Sequence, residues 1–90
     1  MTTEDRIRFE YDRLRDLAIA KNRAYGDSAL NPIRIFSDLP ATAGLRVRLD
    51  DKLSRLKGDP KAFEENPLDD LIGYSMLLRI AERVEAEGQS

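Results

Sequence analysis

The sequence predicts an all-α fold with three main helices plus short helical turns, in a single domain over residues 1–90. Three long segments carry apolar residues at the spacing of one helix face. Glycine or proline lies at the ends of these segments, where helices commonly start and stop. The chain contains no cysteine and no histidine, so disulfides and the usual zinc sites cannot replace a packed core.

The first predicted helix begins after Thr3, which is a suitable N-cap, and has Glu4 and Asp5 where the helix dipole favours acids. It ends near Tyr25, because Gly26 can adopt the positive φ of a residue that follows a helix. Its expected core-facing stripe consists of Ile7, Tyr11, Leu14, Leu17 and Ala18.

Residues 27–40 are predicted to be irregular. Asn31 and Pro32 match an N-cap followed by a proline at the first helical position, which predicts one short helical turn through Phe36. Ile33, Ile35 and Phe36 are too apolar for a free loop, so we expect them to pack against the helices.

The second predicted helix spans 41–57 and stops at Gly58. One face should be buried, and it carries Ala41, Leu45, Leu49, Leu53 and Leu56. A further short turn is expected around Ala62 and Phe63.

The third helix has the clearest start signal, with Asn66 as N-cap, Pro67 at the first helical position, and two acids in the first turn. From Leu71 to Ala81 the helix is apolar on most sides, so it requires cover on most sides. Two other helices cannot supply all of it. We therefore expect a helical bundle completed by homo-oligomerisation, as a dimer or a larger assembly.

The composition excludes several classes of function. A net charge of −2 argues against direct binding of duplex DNA, which requires a strong positive excess. The longest apolar stretch is too short to cross a membrane, and the polar, acidic start does not match a secretory leader. We expect a cytoplasmic protein. Without cysteine or histidine, a bound metal is expected to be a hard cation such as Mg²⁺ held by carboxylates.

Three clusters of residues are candidates for a functional site. The first surrounds the turn at the end of the first helix and offers a cation, an amide, an aromatic ring and a carboxylate: Lys21, Asn22, Tyr25 and Asp27. The alternative interpretation is an ordinary helix C-terminus, whose basic residues complement the helix dipole.

The second cluster lies on neighbouring rows of the second helix and consists of Arg48, Asp51, Lys52 and Arg55. Arginine at such a position can bind a phosphate through two parallel hydrogen bonds. The alternative is a solvated charged face.

The third cluster opens the last helix and consists of Asn66, Asp69, Asp70 and Tyr74. Asn66 and Asp70 share a face and, with Asp50 or Asp51 of the second helix, are able to hold one hard cation. The alternative is helix capping and dipole-favoured acids, which need no ligand.

The clusters form ordered motifs: Lys-Asn-x-x-Tyr-Gly-Asp at 21–27, Asn-Pro-x-Arg-x-Phe at 31–36, Arg-x-Asp-Asp-Lys-x-x-Arg at 48–55 and Asp-x-x-Gly-Tyr at 70–74. This combination spans most of the chain. It resembles a family of small phage and prophage proteins related to nucleotide-modification-associated domains. That family is in turn similar to the MazG-like and dimeric dUTPase-like all-α nucleoside triphosphate pyrophosphohydrolases.

The resemblance implies a nucleotide ligand, possible Mg²⁺ dependence and a set of residue roles. Asp50, Asp51 and Asp70 would be catalytic carboxylates, with Asp51, Asn66 and Asp70 around the metal. Lys52 and Arg55 would hold phosphates, and Asn22 and Tyr25 would approach the base or sugar. Lys21, Asp27, Arg48 and Tyr74 complete the expected ligand-binding set.

The sequence departs from the hydrolases in its acidic residues. The hydrolases carry a Glu-Glu-x-x-Glu helix, whereas here Glu64 and Glu65 are followed directly by Asn66 and Pro67. Asn66 also stands where an acid is expected. Three functions stay open: a pyrophosphohydrolase or a degenerate relative, a non-catalytic binder of nucleotides or cyclic nucleotides such as a phage counter-defence sponge, and a protein–protein inhibitor that uses the acidic segment 59–90.

Overall fold

The computed structural model describes residues 1–58 and 66–88, and within these ranges it is all-α without strands. The helices are α1 (Thr3–Ala24), α2 (Ala41–Lys57) and α3 (Pro67–Gly88). The predicted fold class is confirmed. The turn expected around Ala62 and Phe63 lies outside the described residues.

Helix α1 is capped by Thr2 instead of Thr3. The Thr2 hydroxyl accepts a hydrogen bond from the Asp5 N–H at 3.1 Å, and the Asp5 carboxylate accepts one from the Thr2 N–H at 3.0 Å. This reciprocal arrangement needs an acid three residues after the cap, which Thr2 has in Asp5 and Thr3 lacks. At the other end, Gly26 has a φ of +63°, as predicted.

The segment between α1 and α2 differs from the prediction. No helical turn forms over 31–36; the backbone bends there, and Arg34 has a φ of +57°. The Asn31 side chain donates a hydrogen bond to the Asp27 carboxylate at 2.6 Å. It therefore stabilises the preceding turn and does not cap a helix at Pro32. The expected packing of Ile33, Ile35 and Phe36 is also wrong, since all three are exposed, Phe36 completely.

The core lies between α2 and α3. Leu45 and Ala81 are its buried apolar residues within the described ranges, joined by three buried polar side chains, Thr42, Lys52 and Asp70. Leu53, predicted to lie on the buried face of α2, is half exposed, while Lys52 beside it is buried. Helix α1 has no buried residue.

Helix α3 begins as predicted, because the Asn66 side chain accepts a hydrogen bond from the Leu68 N–H at 2.9 Å. Its outer face carries an apolar stripe, which we call the α3 stripe, whose side chains are 39–58% exposed. The α3 stripe consists of Leu68, Ile72, Met76, Ile80 and Val84. None of the described helices combines the length and apolarity that a membrane span requires.

Replacing the α3 cap tests whether Asn66 acts through the helix terminus. We expect Asn66→Ala to lower the free energy of unfolding by about 1 kcal/mol, because the Leu68 N–H loses its acceptor. Asn66→Asp retains a capping oxygen and should preserve most of the stability. Urea unfolding followed by circular dichroism measures both variants, and equal stability of the alanine variant and the unmodified protein would contradict the capping role.

Candidate functional site

A buried carboxylate joins all three helices. The Asp70 side chain on α3 is 6% exposed, and its two oxygens lie 3.2 Å from the Lys21 ammonium of α1 and 3.1 Å from the Lys52 ammonium of α2. Lys52 is nearly buried, with 11% of its side chain exposed, whereas Lys21 is 40% exposed. An isolated buried charge costs several kcal/mol, so these lysines are what allows Asp70 to lie in the interior.

A second ion pair lies beside the first. Arg13 of α1 binds Asp69 of α3 through two hydrogen bonds of 2.9 and 3.0 Å, and it also contacts Glu10. The Arg13 hydrogen bonds lower the pKa of the Asp69 carboxyl. Arg13 is not among the site residues predicted from the sequence. The available signal was its position two helical turns before Lys21, on the face that also carries Leu17.

Tyr74 of α3 is held by two cations of α2. The Arg48 guanidinium donates to the Tyr74 hydroxyl at 3.4 Å, and its central carbon lies 5.8 Å from the ring centroid. The Lys52 ammonium lies 5.5 Å from the same centroid. Cations at these distances are attracted by the π face of a tyrosine, so the ring and both side chains are positioned together.

These groups surround a cleft of about 360 Å³, here called the first cleft. Its volume falls in the range of about 300–1,000 Å³ that is usual for small-molecule sites. Apolar side chains from α1 and α3 form one part of its wall, and polar or aromatic side chains form the other. The apolar residues include Leu14, Leu17, Ala18 and Leu77; the polar and aromatic ones include Lys21, Asn22, Tyr25, Arg48, Asp70 and Tyr74.

The structure therefore brings together many of the residues proposed from sequence. Seven of them line the first cleft: Lys21, Asn22, Tyr25, Arg48, Asp69, Asp70 and Tyr74. Lys52 does not line it but contacts two members of that set, Asp70 and Tyr74. Besides Lys52, five do not line it: Asp27, Asp50, Asp51, Arg55 and Asn66. Asp50, Asp51 and Arg55 are exposed on α2, and Asp27 is bound to Asn31 in the turn after α1.

The contacts of Asp70 do not resemble those of a magnesium ligand. Each of its oxygens faces an ammonium group, and the Asn66 oxygen caps α3. In residues 1–58 and 66–88, no three acidic side chains are grouped as a metal ion would require. Magnesium at Asp51, Asn66 and Asp70 therefore stays a prediction from the sequence.

Comparisons of the chain with family models, curated proteins and solved structures found no match. Its function is inferred from the chemistry of the first cleft.

The pair between Arg13 and Asp69 should make stability depend on pH. Because the folded pKa of Asp69 is lowered, its contribution is complete above the unfolded value of about 3.9 and disappears as the pH falls through the folded value. We expect Asp69→Asn to be less stable than the unmodified protein at pH 7, with a difference that shrinks below about pH 4. Urea midpoints across this range measure the effect.

A matched control is Asp38→Asn, which removes one exposed carboxylate far from Arg13 along the chain. It accounts for the change in net charge. The stability difference between Asp69→Asn and the unmodified protein should change between pH 7 and pH 2.5. If it stays constant over this range, the proposed ionic contribution is ruled out.

Proposed function

We propose that the first cleft binds a nucleotide and that binding, without turnover, is the activity of this domain. The observation that carries the proposal is that two tyrosines, two cations and one amide line a single cleft between the helices, with Lys52 in contact with two of its lining residues, Asp70 and Tyr74. These are the groups that recognise a flat base, a phosphate and a polar base edge. A protein that only needed a core would place apolar side chains there.

The aromatic residues and the apolar wall suit a base. Tyr25 is mostly exposed at the edge of the first cleft, and Tyr74 is held in a fixed position by Arg48 and Lys52. Aromatic rings favour offset stacking or edge-to-face contact with other flat rings. Asn22 lines the same cleft, and its amide can both donate to and accept from a base edge.

Arg48 is the best-placed group for a phosphate. It is exposed, it lines the first cleft, and among the described residues no carboxylate forms a salt bridge with it. A guanidinium in this state presents a planar set of donors that matches phosphate oxygens. Lys21 lies in the same cleft and adds positive potential while it remains paired with Asp70.

The carboxylates favour binding over hydrolysis. The hydrolases that the sequence resembles use helix-borne acids to hold magnesium, which activates water. The two acids lining this cleft are neutralised by cations, Asp69 by Arg13 and Asp70 by the two lysines. A nucleotide binder needs no additional acid or base, so the described contacts suffice for it.

We also propose that a second copy of the chain covers the α3 stripe. A row of large apolar side chains at four-residue spacing is the ridge by which two helices pack across each other. The same row on another copy is self-complementary about a two-fold axis. Within the described residues of one copy, all five side chains of the stripe remain at least 39% exposed, so a second copy is free to pack on them.

Titration of a nucleotide panel tests the binding proposal. We expect Arg48→Met to weaken binding roughly tenfold or more, because a hydrogen bond to a charged group contributes about 1.5–3 kcal/mol. The matched control is Arg46→Met on the same helix, which removes a cation that pairs with Glu82 and should leave affinity unchanged. Isothermal titration calorimetry measures both.

The ligand recovered afterwards decides between binding and hydrolysis. Chromatography should return the nucleotide intact after incubation with Mg²⁺ or Mn²⁺. Pyrophosphate release would show that the domain is a hydrolase, and the absence of heat or thermal shift with every nucleotide would refute the proposal.

Light scattering coupled to gel filtration tests self-association. We expect the unmodified protein to be a dimer or larger at micromolar concentration, and Met76→Glu to be monomeric, because the new charge would be buried in the interface. Ser54→Glu, at an exposed polar position of α2, controls for the added charge. A monomeric unmodified protein would contradict the proposal.

A further inference from the structure

A second cleft adjoins the first. It has a volume of about 370 Å³ and lies between the 28–40 segment and the start of α2. Its wall is mainly apolar and includes Pro32, Ile35, Leu39, Gly44 and Leu45. The two clefts share three lining residues, Ser28, Ala29 and Arg48, so Arg48 borders both of them.

Each cleft is lined by a glycine that lies inside a helix: Gly73 of α3 in the first cleft and Gly44 of α2 in the second. Glycine inside a helix costs about 1 kcal/mol relative to alanine. Neither glycine has a positive φ, and a Cβ added to either would meet no heavy atom of residues 1–58 and 66–88 within 4 Å. Neither backbone geometry nor packing against these described residues therefore requires glycine at the two positions.

Glycine is also used where a ligand must approach the backbone closely. The two helical glycines open the two clefts, and both clefts border Arg48. Each cleft is near the lower limit of about 300 Å³ for small-molecule sites, so each has room for one compact group. The shared cation lies where an anionic link between two such groups would pass.

We propose that the two clefts form one elongated site for a dinucleotide, with one nucleoside in each cleft and a bridging phosphate at Arg48. This inference rests on the proposed function, because it assumes that the first cleft binds a nucleotide. The base in the first cleft contacts tyrosine and asparagine, and the second nucleoside lies on the apolar wall near Gly44. Linear and cyclic dinucleotides share this chemistry.

Calorimetric titration with matched ligands tests the inference. The probes are adenosine monophosphate, a linear diadenosine monophosphate and cyclic diadenosine monophosphate, together with the guanine series. We expect one class of dinucleotide to bind at least about tenfold more tightly than its mononucleotide, equivalent to about 1.4 kcal/mol. The compound that has this advantage shows whether the site takes a linear or a cyclic dinucleotide.

Two leucine substitutions separate the clefts. Gly44→Leu should fill the second cleft and abolish the tenfold advantage while leaving mononucleotide affinity unchanged. Gly73→Leu should fill the first cleft and weaken both kinds of ligand. Both variants should fold, since leucine favours helix over glycine and its Cβ has open space; Gly44→Ala, with a smaller side chain, should retain part of the advantage.

The outcomes are distinguishable. Mononucleotide binding by the unmodified protein with no dinucleotide advantage would overturn the two-cleft site alone. An advantage that survives in Gly44→Leu would overturn it as well. If no ligand of either series binds, the proposed function itself fails.

Discussion

The arrangement of the three helices depends on the pairing of Asp70 with Lys21 and Lys52. Each helix contributes one member, and the carboxylate is almost completely buried. Helix α1 has few contacts with α3 and buries none of its residues, so Lys21 and the neighbouring Arg13–Asp69 pair are its main anchors. Removing one partner from such a buried group leaves an uncompensated charge, which typically costs about 3–5 kcal/mol.

Substitution of Asp70 would therefore disturb the fold and the first cleft together. Loss of activity in such a variant would not by itself identify a catalytic acid.

The same pairing sets the electrostatic character of the first cleft. Four cations, Arg13, Lys21, Arg48 and Lys52, lie at or beside it with two acids, Asp69 and Asp70. Glu10, the second acid bound to Arg13, adds a third negative charge, so four cations against three acids leave a formal balance of one positive charge, whereas the whole chain has a net charge of −2. A local excess of positive charge in a partly apolar cleft attracts small anions, and apolar walls strengthen the field there. Overall charge alone would not have indicated this local excess.

The helices could be predicted because their signals are local, while the site could be predicted only in part. Asn66 begins α3, and Gly26 and Gly58 follow the ends of α1 and α2, each through nearby backbone groups, so the sequence contains what is needed. Which row of a helix faces its neighbour is decided by tertiary packing, and adjacent residues differ by about 100° around the axis. Lys52 is buried and Leu53 is half exposed for this reason, the reverse of what hydrophobicity predicts. For the same reason, the sequence pattern could not show that Asp50 and Asp51 lie on the exposed side of α2, away from the first cleft. The helical turn predicted at Asn31 fails because its side chain binds Asp27, a competing local partner.

Helix α3 presents its two important surfaces in different directions. Asp70, Gly73, Tyr74 and Leu77 face the first cleft, whereas the α3 stripe of Leu68, Ile72, Met76, Ile80 and Val84 faces outward. A second copy that covers the stripe would therefore pack on residues of α3 other than those that line the cleft. Assembly would still act on the site, because burying the outer side of α3 restricts the motion of the helix that carries Asp70 and Tyr74. A ligand that binds between ordered groups loses less entropy than one that must order them. Self-association, if it occurs on the stripe as proposed, would thus strengthen binding without any contact to the ligand.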